Sequence, residues 1–329
     1  MNLNNLENLK EELRKLGASE MLVYQMEEKM RTGEPEFKLR DGVHVTEKGY
    51  ITFDFPFKQS SQSDYYFLNK YDISFHKGQP LEDGKSFFVT LPEKDGKQPF
   101  KRVVDRAEAI ALFKEQTGNS KLSMGETFQK SSLLANMEKG KVNYIDRTFA
   151  TAFRTSPITE TIRVDRGKGF TKEQSANLIQ GRAIYRDDML DASRGETYKA
   201  WIKFDMESGK KNGHYQFSTW RDPNYGFDLS KKLDEFNIKD LENPEARKEL
   251  EDSLKQGNRV LVTVEKGGEA MNVFIEPVPR FYNLNFYSES GMYEKREKFL
   301  KEPVDLKADL TVKNLAKDKQ QDKSMSIGR

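Results

Sequence analysis

The chain has no cysteine and only three histidines, His44, His76 and His214, in 329 residues. The first absence excludes a disulfide framework and thiolate metal sites, and the second leaves too few imidazoles, set too far apart, to announce a zinc enzyme. Charge of one sign is missing as well. Lys and Arg number 55 against 53 Asp and Glu, so the net charge is +2 and no global field draws the protein to nucleic acid or to an anionic membrane. No stretch approaches the roughly 18 apolar residues of a membrane-crossing helix, and the opening MNLNNLENLKEELRKLG has no continuous apolar run. A soluble, cytoplasmic protein with no membrane partner is expected. The patterns GxxxxGK[ST], GxGxxG, GxSxG and HExxH and the EF-hand loop are also lacking. No cofactor, metal or catalytic residue is therefore assigned.

What is present is a set of alternating patterns. Leu3, Leu6, Leu9, Leu13 and Leu16 recur every three or four residues, which predicts an amphipathic helix ended by Gly17. Ser19 then caps a second helix carrying Leu22, Met26 and Met30, and the two form a helical hairpin. From Phe37 the period becomes two. Ile51, Phe53, Phe55 and Phe57 alternate with more polar residues, and a similar alternation runs through Tyr65 to Tyr71 and SFFVTL.

An aromatic-rich strand design occupies 48–91 and again 196–287, each preceded by a short helical stretch. Between them, RVVDRAEAIALFKEQTG and GETFQKSSLLANMEKGK have helical spacing, and 97–162 holds eleven Lys or Arg against seven Asp or Glu. A capping-box-like start at Thr171, an Asn212-Gly213 hairpin, a helix begun at Asp228 or Ser230, and a helix with Asn243 as cap and Pro244 first complete the second module. The expected fold class is α+β: two antiparallel-sheet modules with short helices at 1–91 and 161–299, a helical insertion at 92–160, and a disordered tail at 300–329 rich in Lys, Asp and Gln.

Few residue groups suggest chemistry. GKGF at 167–170 precedes a helix beside Arg163, Arg166 and Lys168 and would suit one phosphate, or is an ordinary loop. Asp187, Asp188, Asp205 and Glu207 could hold a hard cation, or serve as turn residues at strand ends. Aromatics interleaved with cations weigh more. Trp201, Tyr215 and Trp220, with Arg182, Lys203 and Arg221 close by, are the candidate nucleic-acid-binding residues, because bases stack on rings while cations follow the phosphates. The same rings would serve as sheet core, and alternation leaves that choice open.

NLIQGRAIYRDDML at 177–190, GETYKAWIKFDMES at 195–208 and NYGFDL at 224–229 resemble an uncharacterised domain family of Bacteroidota conjugative and mobilisable elements, often encoded near topoisomerase and mobilisation genes. LKEELRKLGASEMLVYQMEEKMRTGEPEF and QSSQSDYYFLNKYDISF share the likeness, whereas 92–160 departs from it. The resemblance implies a genomic setting and carries over no catalytic residue. Together these readings predict a non-catalytic accessory protein that binds single-stranded or duplex DNA, or else an adaptor for proteins of DNA processing or transfer. An enzyme using carboxylates and a divalent ion is the third reading.

Overall fold

A computed structural model describes residues 5–301 apart from 94, 95, 97, 192 and 267, and of Lys266 only the backbone. The tail expected at 300–329 lies outside the described residues from 302 onward. The chain divides into two units, one running to Gln180 and taking in the hairpin tip Asn212–His214, the other comprising Gly181–Lys211 and the chain from Tyr215. Among the described residues all four sheets are antiparallel, which makes the fold α+β. No described helix is long and apolar enough to cross a membrane.

The first unit opens with the expected hairpin of α1 (Leu6–Lys15) and α2 (Glu20–Thr32). Leu6, Leu9 and Leu13 are buried on α1, and the Ser19 hydroxyl accepts from the Leu22 amide to cap α2. Four strands follow: β1 (Glu36–Thr46), β2 (Gly49–Gln59), the short β3 (Tyr66–Phe67) and β4 (Lys70–Lys77). Period-two alternation puts Phe53, Phe55 and Phe57 of β2 on the buried face opposite Ile73 of β4 and Leu39 and Phe37 of β1. Burying one such side chain stabilises the fold by about 1.5–3 kcal/mol.

The segment 92–160 departs from expectation. Strands β5 (Ser86–Thr90), β6 (Phe100–Val103), β7 (Ser120–Gly125), β8 (Ser131–Glu138) and β9 (Lys141–Ile145) form a second five-stranded sheet in the order β6-β5-β7-β8-β9. Two helices, α3 (Arg106–Lys114) and α4 (Ala150–Arg154), place Phe113 and Phe153 in a core with Phe87, Leu122 and Met137. The expected α3 is present, but GETFQKSSLLANMEKGK is mostly strand. The β7–β8 register shifts between Leu122 and Ser123, so Leu134 and Ala135 are both buried in succession, and the interrupted alternation has a helix-like spacing. Strand β5, expected to close the first module, belongs to this sheet.

The chain then returns to the first sheet as β10 (Ile158–Arg163) beside β4, and α5 (Lys172–Ile179) starts from the expected capping box of Thr171 and Gln174.

The second unit begins with β11 (Ile184–Asp191), β12 (Glu196–Lys211) and β13 (His214–Asp222), a three-stranded sheet whose Asn212-Gly213 turn has the left-handed backbone expected of it. Asp228 caps α6 (Leu229–Asp234), and Asn243 caps α7 (Pro244–Lys255) with Pro244 in the first turn. Strands β14 (Val260–Lys266), β15 (Glu269–Val278), β16 (Asn283–Ser288) and β17 (Tyr293–Glu294) form a meander. Its inner face, Val262, Val273, Ile275 and Phe286, closes a core with Trp201, Leu233, Leu254 and Phe299. Leu300 bridges to Phe236 and packs on this core, so ordered structure runs past the expected boundary at 299. The strands expected in 48–91 and 196–287 are present, and a hairpin, helix and meander also follow one another in 86–145 and, with two helices, in 196–288.

Candidate functional site

Strand registry brings four apolar side chains into one row across the outer face of the β14–β17 meander. Leu261 stands opposite Phe274, Phe274 opposite Tyr287, and Tyr287 opposite Tyr293. Val262, Val273, Ile275 and Phe286 point the other way into the core. Within the row Leu261 is 45% and Tyr293 59% exposed, while Phe274 and Tyr287 are half-buried. The Tyr287 and Tyr293 rings meet edge to face with centroids 5.9 Å apart.

Cations lie on the row. The Arg259 guanidinium sits 3.8 Å from the centre of the Tyr287 ring and pairs with Glu276 at 3.1 Å, and Arg182 approaches the same carboxylate at 3.8 Å. The Tyr287 hydroxyl donates to Glu276 at 2.6 Å, and the Asn285 amide donates to both groups at 3.3 and 3.2 Å. Burial and that bond to Glu276 push the Tyr287 hydroxyl up to about 12. Both guanidiniums thus meet one carboxylate beside an aromatic ring.

The six residues singled out in the sequence do not share a surface. Trp201 is 3% exposed, with Tyr185 at 5.4 Å and Phe227 at 5.5 Å, so it is core and has no face open to a base. Trp220 is half-buried against the same core. Its ring lies 6.2 Å from Tyr225, which stacks on Tyr282 at 4.6 Å. Tyr215 and Arg221, odd positions on β13 where Trp220 is even, occupy the opposite face. There Lys210 lies 5.0 Å from the Tyr215 ring, and Arg221 lies over Tyr198 while pairing with Asp191 at 3.0 Å. Lys203 is half-buried on β12. Arg182 alone joins the aromatic row. Arg259, Glu276 and Tyr293 were missed, although once Lys266 stands opposite Glu269 the remaining β14–β15 pairs follow by counting.

The other sequence candidates resolve into structure. In GKGF, a Cβ on Gly167 would come within 3.0 Å of the Glu12 backbone and one on Gly169 within 2.9 Å of the Arg163 carbonyl, so close packing accounts for both glycines. The following helix has amides already engaged: Lys172 N–H donates to the Leu16 carbonyl and Gln174 N–H to the Thr171 hydroxyl. Asp188 pairs with Arg186, and Asp205 accepts from Ser208, whose bonds hold its carboxyl below the usual range. His214 contacts Glu160 at 2.7 Å. Among the described residues no three His, Asp or Glu side chains converge on a metal position.

No protein-family model, curated protein or solved structure matches this chain.

Proposed function

We propose that this chain is a non-catalytic accessory binding protein of a mobile genetic element that takes single-stranded nucleic acid on the outer face of its β14–β17 meander. One observation carries the reading: the row Leu261, Phe274, Tyr287 and Tyr293, with the Arg259 guanidinium laid on Tyr287. Rings on an open antiparallel face accept unstacked bases for about 1–3 kcal/mol each, without needing a base-specific pattern of hydrogen bonds. The row itself carries no formal charge, so stacking supplies most of the affinity and the salt dependence is shallow. The mobile-element setting comes from the sequence resemblance, and a role beside DNA processing or transfer follows from it.

Fluorescence anisotropy of a labelled single-stranded DNA at two salt concentrations tests the reading, with a duplex of the same sequence as comparison. Tyr293→Ala removes an exposed ring and should weaken single-strand binding by about 5- to 150-fold, the equivalent of one stacked base. A Tyr215→Ala, Trp220→Ala double variant, altered on the other sheet, should bind as the wild type does. Absence of binding at low salt, or binding indifferent to Tyr293→Ala, overturns the proposal and directs attention to protein partners.

A further inference from the structure

The first unit holds a second candidate site, independent of the aromatic row. A pocket of about 180 Å³ opens where the end of β4 meets α3 and the segment after α4. Three of its twelve lining residues are the cations Lys77, Arg106 and Lys114, a fourth is His76, and none is Asp or Glu. Thr155 and Ser156 add hydroxyls to the wall.

Two buried groups in this wall lack a counterpart. His76 is 5% exposed, and its Nδ1 is the buried side-chain polar atom with no hydrogen-bond partner among the described residues. Its other ring nitrogen meets the Thr52 hydroxyl at 3.2 Å, so when that hydroxyl donates, Nδ1 carries the proton and is a free donor. Arg106 is 8% exposed, donating to the carbonyls of Gln79 at 3.0 Å and Lys77 at 2.7 Å. No carboxylate pairs with it among the described residues. Its neighbour Asp105 is bound instead to Arg40 at 2.7 Å and caps α3 through the Glu108 amide. Burial pushes the Arg106 guanidinium below its ordinary value.

Lys77 and Lys114 are exposed and likewise have no carboxylate partner among the described residues. A buried cation and a buried unmatched donor are each costly, and the cost falls if a ligand supplies the missing acceptor. The geometry points to a binding site for a small oxyanion, a carboxylate or phosphate group, that is neutralised by Arg106 with Lys77 and Lys114 at the rim. The oxyanion accepts from His76 Nδ1 once a small shift of the wall opens that atom, which is closed to solvent in the unliganded fold. The volume is below the roughly 300–1,000 Å³ of sites that enclose whole drug-sized ligands. The pocket therefore takes a free small anion or the anionic end of a larger molecule.

The full chain is titrated with inorganic phosphate, and in a separate arm with acetate, at constant ionic strength made up with chloride. Thermal midpoint and the His76 ring nitrogen resonances are followed. A saturable change in roughly the millimolar range is expected, and the tighter anion tells a phosphoryl from a carboxylate end group. His76→Phe, which keeps an aromatic ring on Tyr50 but removes Nδ1, should weaken binding by about tenfold or more, as should Lys77→Ala with Lys114→Ala at the exposed rim. If His76→Phe does not fold, the rim variant still decides. No saturable change with either anion, or unchanged affinity in the rim variant, overturns the inference.

Discussion

The His76 imidazole lies flat on the Tyr50 ring, with centroids 4.6 Å apart and planes within 4° of parallel. The two residues stand directly opposite each other on β4 and β2, and the Arg106 guanidinium carbon rests 4.8 Å from the centre of the same Tyr50 ring. An aromatic pair under a buried cation has a consequence for protonation.

Burial first, and then the charge of Arg106, lower His76 from about 6.5 to about 4. Asp105 and Asp54 pull the other way and Arg40 adds to the lowering. The folded protein thus keeps this ring neutral where the unfolded chain takes up a proton. Stability is unaffected by His76 above pH 6.5, falls as pH drops from about 6.5 to about 4, and levels off below that, with a slope of at most about 1.4 kcal/mol per pH unit. Urea midpoints across this range, compared between wild type and His76→Phe, check the prediction. The variant should lack this part of the acid sensitivity, and parallel curves would refute the assignment.

Aromatic residues that look alike in sequence should separate sharply in stability. Trp201, closed in by Tyr185 and Phe227, should cost about 3–5 kcal/mol when replaced by Ala, because a cavity is left that the neighbouring strands cannot fill. Tyr293→Ala, on the exposed row, should stay within about 0.5 kcal/mol of wild type. Chemical denaturation of both variants gives the comparison, and equal losses would mean that the two sides of the second unit have been assigned the wrong way round.

Asp41 should prove the most sensitive carboxylate of the first unit. It is 5% exposed beside the bulge that separates Arg40 from Val43, accepts from the Ser19 amide at 3.0 Å and from the Ser19 hydroxyl, and pairs with Lys172 at the start of α5. One side chain thereby ties the α2 cap, β1 and α5 together. Asp41→Ala leaves the largely buried Lys172 ammonium without its carboxylate, an expected loss of about 3–5 kcal/mol. Asp41→Ala combined with Lys172→Met should recover part of it, and a double-mutant cycle with no coupling would contradict this role.

Local elements were legible because their causes lie within a few residues. The Ser19, Thr171 and Asn243 caps act on amides two or three positions ahead, and the Asn212-Gly213 turn needs only its own backbone angles. The strand β8 was not legible, because the bulge that breaks its alternation is a property of its pairing with β7. The anion pocket was equally hidden: His76 reads as one of three scattered histidines, and nothing local places Arg106 beside it.

By itself the sequence determined the α+β class, the helix caps and hairpin turns, and the two-residue period that sorts each strand into two faces. Tertiary structure alone decided which of those faces is core, putting Trp201 inside and Tyr293 outside, and which distant strands pair, joining β10 to β4 and β5 to β7. The reason is that a period of two is unchanged when its two faces are exchanged. Only the burial of one face against residues far along the chain breaks that symmetry.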